Sequence, residues 1–265
     1  MGDTNTISEE LVLREVKEGI CQLTINRPKA YNALTIECME VLINEFEVLS
    51  SDPSVSVVIL AGSGKGFCGG HDLKEMRKNP EKSFYEKTFQ ICSKMMFSIL
   101  HSPKPVIAKV HGIATAAGCQ LVSTCDLAVA DEKTRFATPG VNIGLFCSTP
   151  MVALSRNIKR KHAMEMLLLG DMIPAQRAYE IGLVNRVVPS EQLDQAANEF
   201  AIKIASKSPL TLKIGKSAFY DQIDKDLKSA YEYCSQVMVE NMMARDAIEG
   251  IDAFMEKRDP VWCGE

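Results

Sequence analysis

The segment that most constrains this chain is PVIAKVHGIATAAGCQLVSTCDLAVADEKTRFATPGVNIG, residues 105–144. An apolar strand pattern runs directly into a turn of small residues that opens a helix. The first turn of a helix leaves backbone N–H groups without intrahelical partners and carries a partial positive charge. A carbonyl oxygen seated there is stabilised as it becomes anionic. Ala116, Ala117 and Gly118 keep side chains out of the way of such a ligand. Small residues also let a helix pack closely on a strand, and this segment alone fits both readings. A second segment favours the first: Phe67-Cys68-Gly69-Gly70-His71-Asp72-Leu73-Lys74 also follows an apolar run, Val55 to Ala61, and also turns through glycines into a helical pattern. Two such loops can converge on one oxygen.

The rest of the chain supplies the frame. Apolar residues alternate in Leu11 to Val16 and Cys21 to Ile25, two antiparallel strands joined at Lys17-Glu18-Gly19. Thr35 is placed to cap a helix whose apolar face is Ile36, Met39, Leu42, Ile43, Phe46 and Leu49. Strand and helix patterns alternate to about Ala130, which predicts right-handed crossovers and a largely parallel sheet. After Pro150 the pattern is helical: Met151 to Asn157, Lys159 to Leu169, Pro174 to Ile181, Gln192 to Ala205, Pro209 to Tyr220, and Lys225 to Glu256 with a break near Ala244. A short strand, Val184 to Val188, interrupts it. The chain thus divides into a sheet-containing core, residues 1–190, and a helical region, residues 191–265.

With 265 residues, 46% of them hydrophobic, the chain can bury the core of one large domain. A net charge of -4 without a dense Lys/Arg run gives no nucleic-acid footprint, and no apolar run approaches the ~18 residues of a membrane span. Nine cysteines lack CxxC or Cys/His metal spacing and point to free thiols in a reducing compartment. Cys92, Cys119 and Cys125 read as small core residues. The N-terminus, MGDTNTISEELVLRE, is acidic rather than Arg-rich, which argues against an attached transit peptide. Met1-Gly2 with Thr6 formally matches the short myristoylation pattern. Gly64-Lys65-Gly66-Phe67-Cys68-Gly69 satisfies GxGxxG, but residues 83–100 read as an amphipathic helix where a dinucleotide site needs a second strand ending in an acid.

These motifs resemble those of the crotonase, or enoyl-CoA hydratase/isomerase, superfamily. The resemblance covers nearly the whole chain, from Asn26-Arg27-Pro28-Lys29-Ala30-Tyr31-Asn32-Ala33-Leu34, through the two loops and Ala175-Gln176-Arg177-Ala178-Tyr179-Glu180-Ile181-Gly182-Leu183-Val184, to Glu249-Gly250 and Phe254-Met255-Glu256-Lys257-Arg258. It implies an α/β spiral core of ββα units that binds acyl-CoA, and a helical C-terminal region that makes a homotrimer or dimer of trimers. It also implies an acyl-CoA thioester as ligand, no cofactor beyond the CoA moiety and no metal. The compartment is the cytoplasm, or the mitochondrial matrix if a transit peptide has been removed. Carried over by position, the backbone N–H groups of His71 and Ala117 form the oxyanion hole. Lys29, Ala30, Gly69, His71, Asp72, Leu73 and Lys74 line the nucleotide, with Phe254 and Lys257 added from late in the chain or from a neighbour. Arg27, Lys74, Arg77 and Arg258 are phosphate partners by charge.

The chain departs from the family at its acid/base pair. The two glutamates that handle water and proton in hydratases fall on Gln120 and Gly140, and an aspartate used by other members falls on Ser148. None of the three exchanges a proton near neutrality, a role typically worth ~10²- to 10⁴-fold per group. Lyase or isomerase activity of the ordinary kind is therefore in doubt. Two readings stand beside it: a malonyl-type acyl-CoA decarboxylase, which needs an enolate-stabilising site but no base and in which His71 with Gln120 or Asn142 would orient the carboxylate, and a non-catalytic acyl-CoA binder. Restoring glutamate at 120 and 140 is expected to create hydratase activity if the scaffold is otherwise competent.

Overall fold

The computed structural model describes residues 10–265; the Met1-Gly2-Thr6 match and the first nine residues of the acidic stretch lie outside them. Strands β1 (Val12–Lys17) and β2 (Ile20–Ile25) form the expected hairpin. Glu18 and Gly19 between them both take positive φ, 52° and 78°, the turn whose twist suits a two-residue loop. Helix α1 (Ile36–Ser51) starts where the Thr35 side chain accepts the Cys38 amide at 3.2 Å. All six residues of its anticipated apolar face are buried.

The chain continues through β3 (Val57–Gly62), α2 (Leu73–Lys78), α3 (Lys82–Leu100), β4 (Val106–Val110), β5 (Ile113–Thr115), α4 (Ala117–Thr124), β6 (Leu127–Asp131) and β7 (Arg135–Ala137). It then forms α5 (Pro150–Asn157), α6 (Arg160–Leu169), β8 (Ile173–Pro174), α7 (Ala175–Glu180), β9 (Arg186–Val188) and α8 (Leu193–Ala205). It ends in α9 (Pro209–Gln222), α10 (Leu227–Met242) and α11 (Arg245–Glu256), the last two parting at Ala244 as the pattern predicts. One sheet has the order β1-β2-β3-β4-β6-β9, parallel from β2 onward. A second, of β5, β7 and β8, lies outside what the sequence pattern showed.

Alternation along the central strands sends side chains to opposite faces. Val58, Leu60, Val106 and Ala108 join the main core with α1, α3 and α4. Val57, Ile59, Ile107 and Val129 meet Leu193, Ala196, Ala197 and Ala201 of α8. Burial on both faces explains why β3 reads as an unbroken apolar run. Helix α8, assigned to the C-terminal region by sequence, is thus a layer of the sheet domain. No helix among the described residues is long and apolar enough to cross a membrane.

The C-terminal helices attach through Asp126. Its carboxylate accepts the Val106 amide at 2.7 Å, the Tyr220 hydroxyl at 2.9 Å and Lys216 Nζ at 2.7 Å. The Lys216 side chain is only 7% exposed, and its ammonium also donates to the carbonyls of Ile99 and Lys104. Removing one partner of such a pair leaves an uncompensated buried charge. Asp126→Ala should therefore cost ~3 kcal/mol or more, read as a lower midpoint in denaturant unfolding. An unchanged midpoint would show that α9 docks by apolar contact alone.

Candidate functional site

The loop after β3 is zipped to β5 by backbone bonds: Cys68 N to Ile113 O at 3.1 Å and Thr115 N to Cys68 O at 3.0 Å. It is equally tied to residues 31–34, where Gly69 N donates to Tyr31 O, Leu34 N to Gly70 O, and Asp72 N to Leu34 O, all within 3.0 Å. Asp72 then caps α2, its side chain accepting the amides of Lys74 and Glu75. Burial works against the charge of Asp72, but the Arg27 guanidinium at 2.9 Å and the two amides hold its carboxyl below the usual range.

The second loop turns at Ala116, whose φ of 50° and ψ of -117° place a side-chain-bearing residue where only glycine is at ease. Its amide is anchored to Ala137 O at 2.9 Å. Ala117 follows as the first residue of α4. The loops touch: a Cβ on Gly70 would lie 2.9 Å from Ala116 Cβ and 3.3 Å from Ala117 N, and a Cβ on Gly118 would fall 2.1 Å from Cys68 O. Among the described residues, the amides of His71 and Ala117 donate to nothing. Two unpaired N–H groups therefore flank the junction of the loops.

Both border a cavity of about 570 Å³. One wall is the loop pair with Leu73 and Met76; the other is the segment 139–150; Phe89 of α3 closes one side. No Asp, Glu, Lys or Arg among the described residues lines it. His71 packs its ring edge-on against Phe89, centroids 5.5 Å apart, and neither ring nitrogen has a partner. Burial pushes its imidazole down to about 4, so the ring is neutral at pH 7. The Cys147 thiol, also lining the cavity, is pushed up by burial.

The sequence-predicted residues separate into several groups. His71, Ala117, Gly140 and Ser148 line the cavity, the Ser148 hydroxyl donating to Phe146 O at 3.4 Å. Gln120 does not: its buried Oε1 lies 3.9 Å from Cys92 Sγ on α3. Gly140 has no room for a side chain, because a Cβ would stand 2.7 Å from Leu145 O and 2.9 Å from Cys147 Sγ. The expectation that glutamates at 120 and 140 restore the pair fails at 140 on this ground. Lys29 and Ala30, in the turn Pro28–Ala30, precede Tyr31, whose carbonyl accepts the Gly69 amide; of the nucleotide set Gly69, His71 and Leu73 line the cavity, and Lys29, Ala30, Asp72 and Lys74 do not.

Three expectations change. The Lys74 amide is consumed by the Asp72 cap and is closed to a nucleotide. Arg27 is held by Asp72 and the Ala33 carbonyl, and Arg258 by Glu249 and Glu256, so neither guanidinium is free for phosphate. Lys29, the Lys74 ammonium and Arg77 make no ion pair among the described residues. Phe254 borders a different groove with Leu212 and Trp262, so one protomer does not bring Phe254 to this cavity. Phe89 and Cys147 were not singled out in the sequence as site residues. Phe89 lies on an amphipathic helix, where it reads as core, and Cys147 reads as one more small thiol.

A model of the family described as "Enoyl-CoA hydratase/isomerase" matches residues 15–265. The chain is 46% identical over 248 residues to human enoyl-CoA hydratase domain-containing protein 3, mitochondrial, covering 94% of this chain and 82% of that protein. It is 34% identical over 259 residues to 2,3-dehydroadipyl-CoA hydratase of Escherichia coli, covering 97% and 100%. A crystal structure of an enoyl-CoA hydratase of Mycobacterium smegmatis superposes with a TM-score of 0.94 at 51% identity, over 96% of this chain and 99% of that one. That of human enoyl coenzyme A hydratase domain-containing protein 3 gives 0.93 at 45%, over 96% and 100%.

The neutral His71 has a consequence for stability. Its folded pKa lies below its unfolded value, so the unfolded chain binds the extra proton between pH 6.5 and about 4. The stability tied to a neutral ring is complete above pH 6.5 and is lost as pH falls toward 4. Wild type should lose more stability than His71→Gln between pH 7 and 4.5 in denaturant titrations, by up to ~3 kcal/mol. Parallel losses would contradict a desolvated ring.

Proposed function

The chain belongs to the enoyl-CoA hydratase/isomerase family, and from that premise we propose that it binds an acyl-CoA thioester with the carbonyl oxygen between the amides of His71 and Ala117. The observation that carries this reading is the pair of unpaired N–H groups at one edge of an uncharged cavity. Preorganised donors in a water-poor site stabilise an enolate oxygen, and each is worth ~3 kcal/mol in comparable sites. Lys29, two residues before the Tyr31 tie to Gly69, and Lys74 and Arg77 of α2 are the cations this reading assigns to the nucleotide phosphates.

What the cavity lacks limits the chemistry. Hydration of an enoyl thioester needs a group that activates water and one that delivers a proton to carbon. With Gln120 turned to Cys92 and Gly140 closed by Leu145 and Cys147, no carboxylate among the described residues lines the cavity to do either. The site is a thioester-polarising pocket with its hydratase machinery removed. The decarboxylase reading requires a carboxylate beside the thioester. No lining cation among the described residues would offset the desolvation of that charge, and burial keeps His71 neutral, which speaks against it. The binder reading gains from the same facts.

Two further assignments accompany this reading. The chain forms a homotrimer through α10 and α11, which leave Leu227, Tyr231, Met238, Val239 and Phe254 more than half exposed in one protomer. It works in the mitochondrial matrix, supported by the names of its vertebrate relatives.

Calorimetry with butyryl-CoA should show saturable binding. Mass spectrometry of crotonyl-CoA incubated with the protein should show no hydration above ~1% of a glutamate-bearing relative's rate. Hydration at an ordinary rate would overturn the assignment of the lost acid/base pair. Light scattering should return three times the 29.2 kDa chain mass, or six; a monomer would refute the trimer.

A further inference from the structure

Of the nine cysteines, Cys147 alone lines the cavity between the two loops and the 139–150 wall. Its place in that wall is fixed by backbone bonds: the Leu145 amide donates to Gly140 O and the Met151 amide to Cys147 O, both at 2.9 Å. The sulfur stands 2.9 Å from the point where the first atom of a side chain at 140 would lie. A thiol thus fills the space from which an acid at 140 would have entered the site. Two separate features mark this space as a ligand site rather than a packing void. The amides of His71 and Ala117 donate to nothing among the described residues, and both ring nitrogens of His71 are buried without a partner. The other polar side chains of the wall are weaker candidates for chemistry. Asn142 Nδ2 donates to Gly170 O and the Ser148 hydroxyl to Phe146 O. Ser148 and Thr149 are alcohols, poor nucleophiles without a base beside them.

Sulfur is soft and polarisable, and its nucleophilic form is the thiolate. Burial pushes the Cys147 thiol up, against an opposing pull from the Gly140 amide, so the group is protonated at pH 7. A reagent that diffuses past therefore meets little thiolate. A bound electrophile is in a different position, because holding two reacting groups in alignment is worth an effective concentration of ~10⁵–10⁸ M. An acyl thioester with a double bond between its second and third carbons is such an electrophile. Hydrogen bonds to its carbonyl oxygen draw electron density from the third carbon and stabilise the enolate that addition there creates. In the reading above, the amides of His71 and Ala117 are those donors.

We propose that Cys147 is a covalent capture site, its thiol adding to the third carbon of an α,β-unsaturated acyl thioester held by the two amides. A sulfur lone pair forms the S–C3 bond. The C2=C3 π pair moves to C1–C2 and the carbonyl π pair moves to oxygen, which gives an enolate under the two N–H groups. The thiol proton leaves to solvent and C2 takes one back. In sum an S–H bond and a C=C π bond break, an S–C and a C–H bond form, and no oxidant or reductant is consumed. Reversal needs a base at the C2 proton, and no carboxylate among the described residues lines the cavity to supply it. The adduct therefore persists, and each chain takes up one electrophilic thioester. This inference rests on the acyl-CoA reading, and the test separates the two.

Intact-mass and peptide-mapping mass spectrometry would follow the full chain incubated with crotonyl-CoA. The expected product is one adduct per chain, heavier by the whole of crotonyl-CoA and mapped to Cys147. It should form about tenfold or more faster than any adduct at the more accessible Cys234 and Cys263. Butyryl-CoA, the same acyl chain without the double bond, should give no adduct and in excess should suppress the one from crotonyl-CoA. Cys147→Ser should abolish it. No adduct, a gain of the crotonyl group alone, labelling that favours Cys234 or Cys263, or labelling of Cys147 unmoved by butyryl-CoA would each overturn the proposal. Calorimetric binding of butyryl-CoA would then leave the acyl-CoA reading intact. Failure of every CoA thioester to bind would remove that reading and this inference together. If Cys147→Ser does not fold, the wild-type site map and the butyryl-CoA protection decide alone.

Discussion

The site depends on the contact between the 68–71 loop and the 115–118 turn. Cys68 O accepts the Thr115 amide and also stands where any side chain at 118 would have to go. The glycine at 118 is thus fixed by the partner loop, and Ala116 accepts a backbone conformation that costs ~1–3 kcal/mol. That strain is held by bonds on each side, Ala116 N to Ala137 O and Gln120 N to Ala116 O. Both free amides inherit their position from this junction. Strands β3 and β5 deliver the two loops; the six-stranded sheet and α8 hold β3, and pairing with β7 holds β5.

Around that junction the polar chemistry is sparse. Among the described residues no carboxylate lines the cavity and its imidazole is held neutral, so the proposed reading assigns it no group for water and proton steps. In that reading what remains is electrostatic: two oriented amide dipoles at the edge of an uncharged cavity, placed to act on charge that develops on a carbonyl oxygen. In that reading the glycine at 140 is more than a missing functional group. The Leu145 carbonyl and the Cys147 sulfur occupy the space a side chain at 140 would need. By contrast Gln120 keeps a side chain of glutamate's size and turns it toward Cys92.

Much of this was legible in the sequence because it is periodic or local. The α1 face, the Thr35 cap, the hairpin turn, the break at Ala244 and the buried thiols at 92, 119 and 125 follow from spacing and residue type. The second sheet was hidden because its strands are two or three residues long, too short to show a period. Charges misled for a related reason. Arg27 and Arg258 look available in a linear reading, but Asp72 lies 45 residues from Arg27, and Arg258 folds back on Glu249 across the last turns of α11. Whether an amide is free likewise depends on caps, as at Lys74, which composition does not reveal. The orphaned ring of His71 could only be seen once Phe89 and the far wall were in place.

The most direct test is vibrational. Butyryl-CoA labelled with ¹³C at the thioester carbonyl, bound to the wild-type chain and examined by isotope-edited infrared difference spectroscopy, reports the hydrogen bonding of that oxygen alone. Two amides converging on it would lower the stretching frequency below that of the same thioester free in water. A bound carbonyl with an unshifted or raised frequency would mean that His71 and Ala117 do not share it, and the site would have to be read another way.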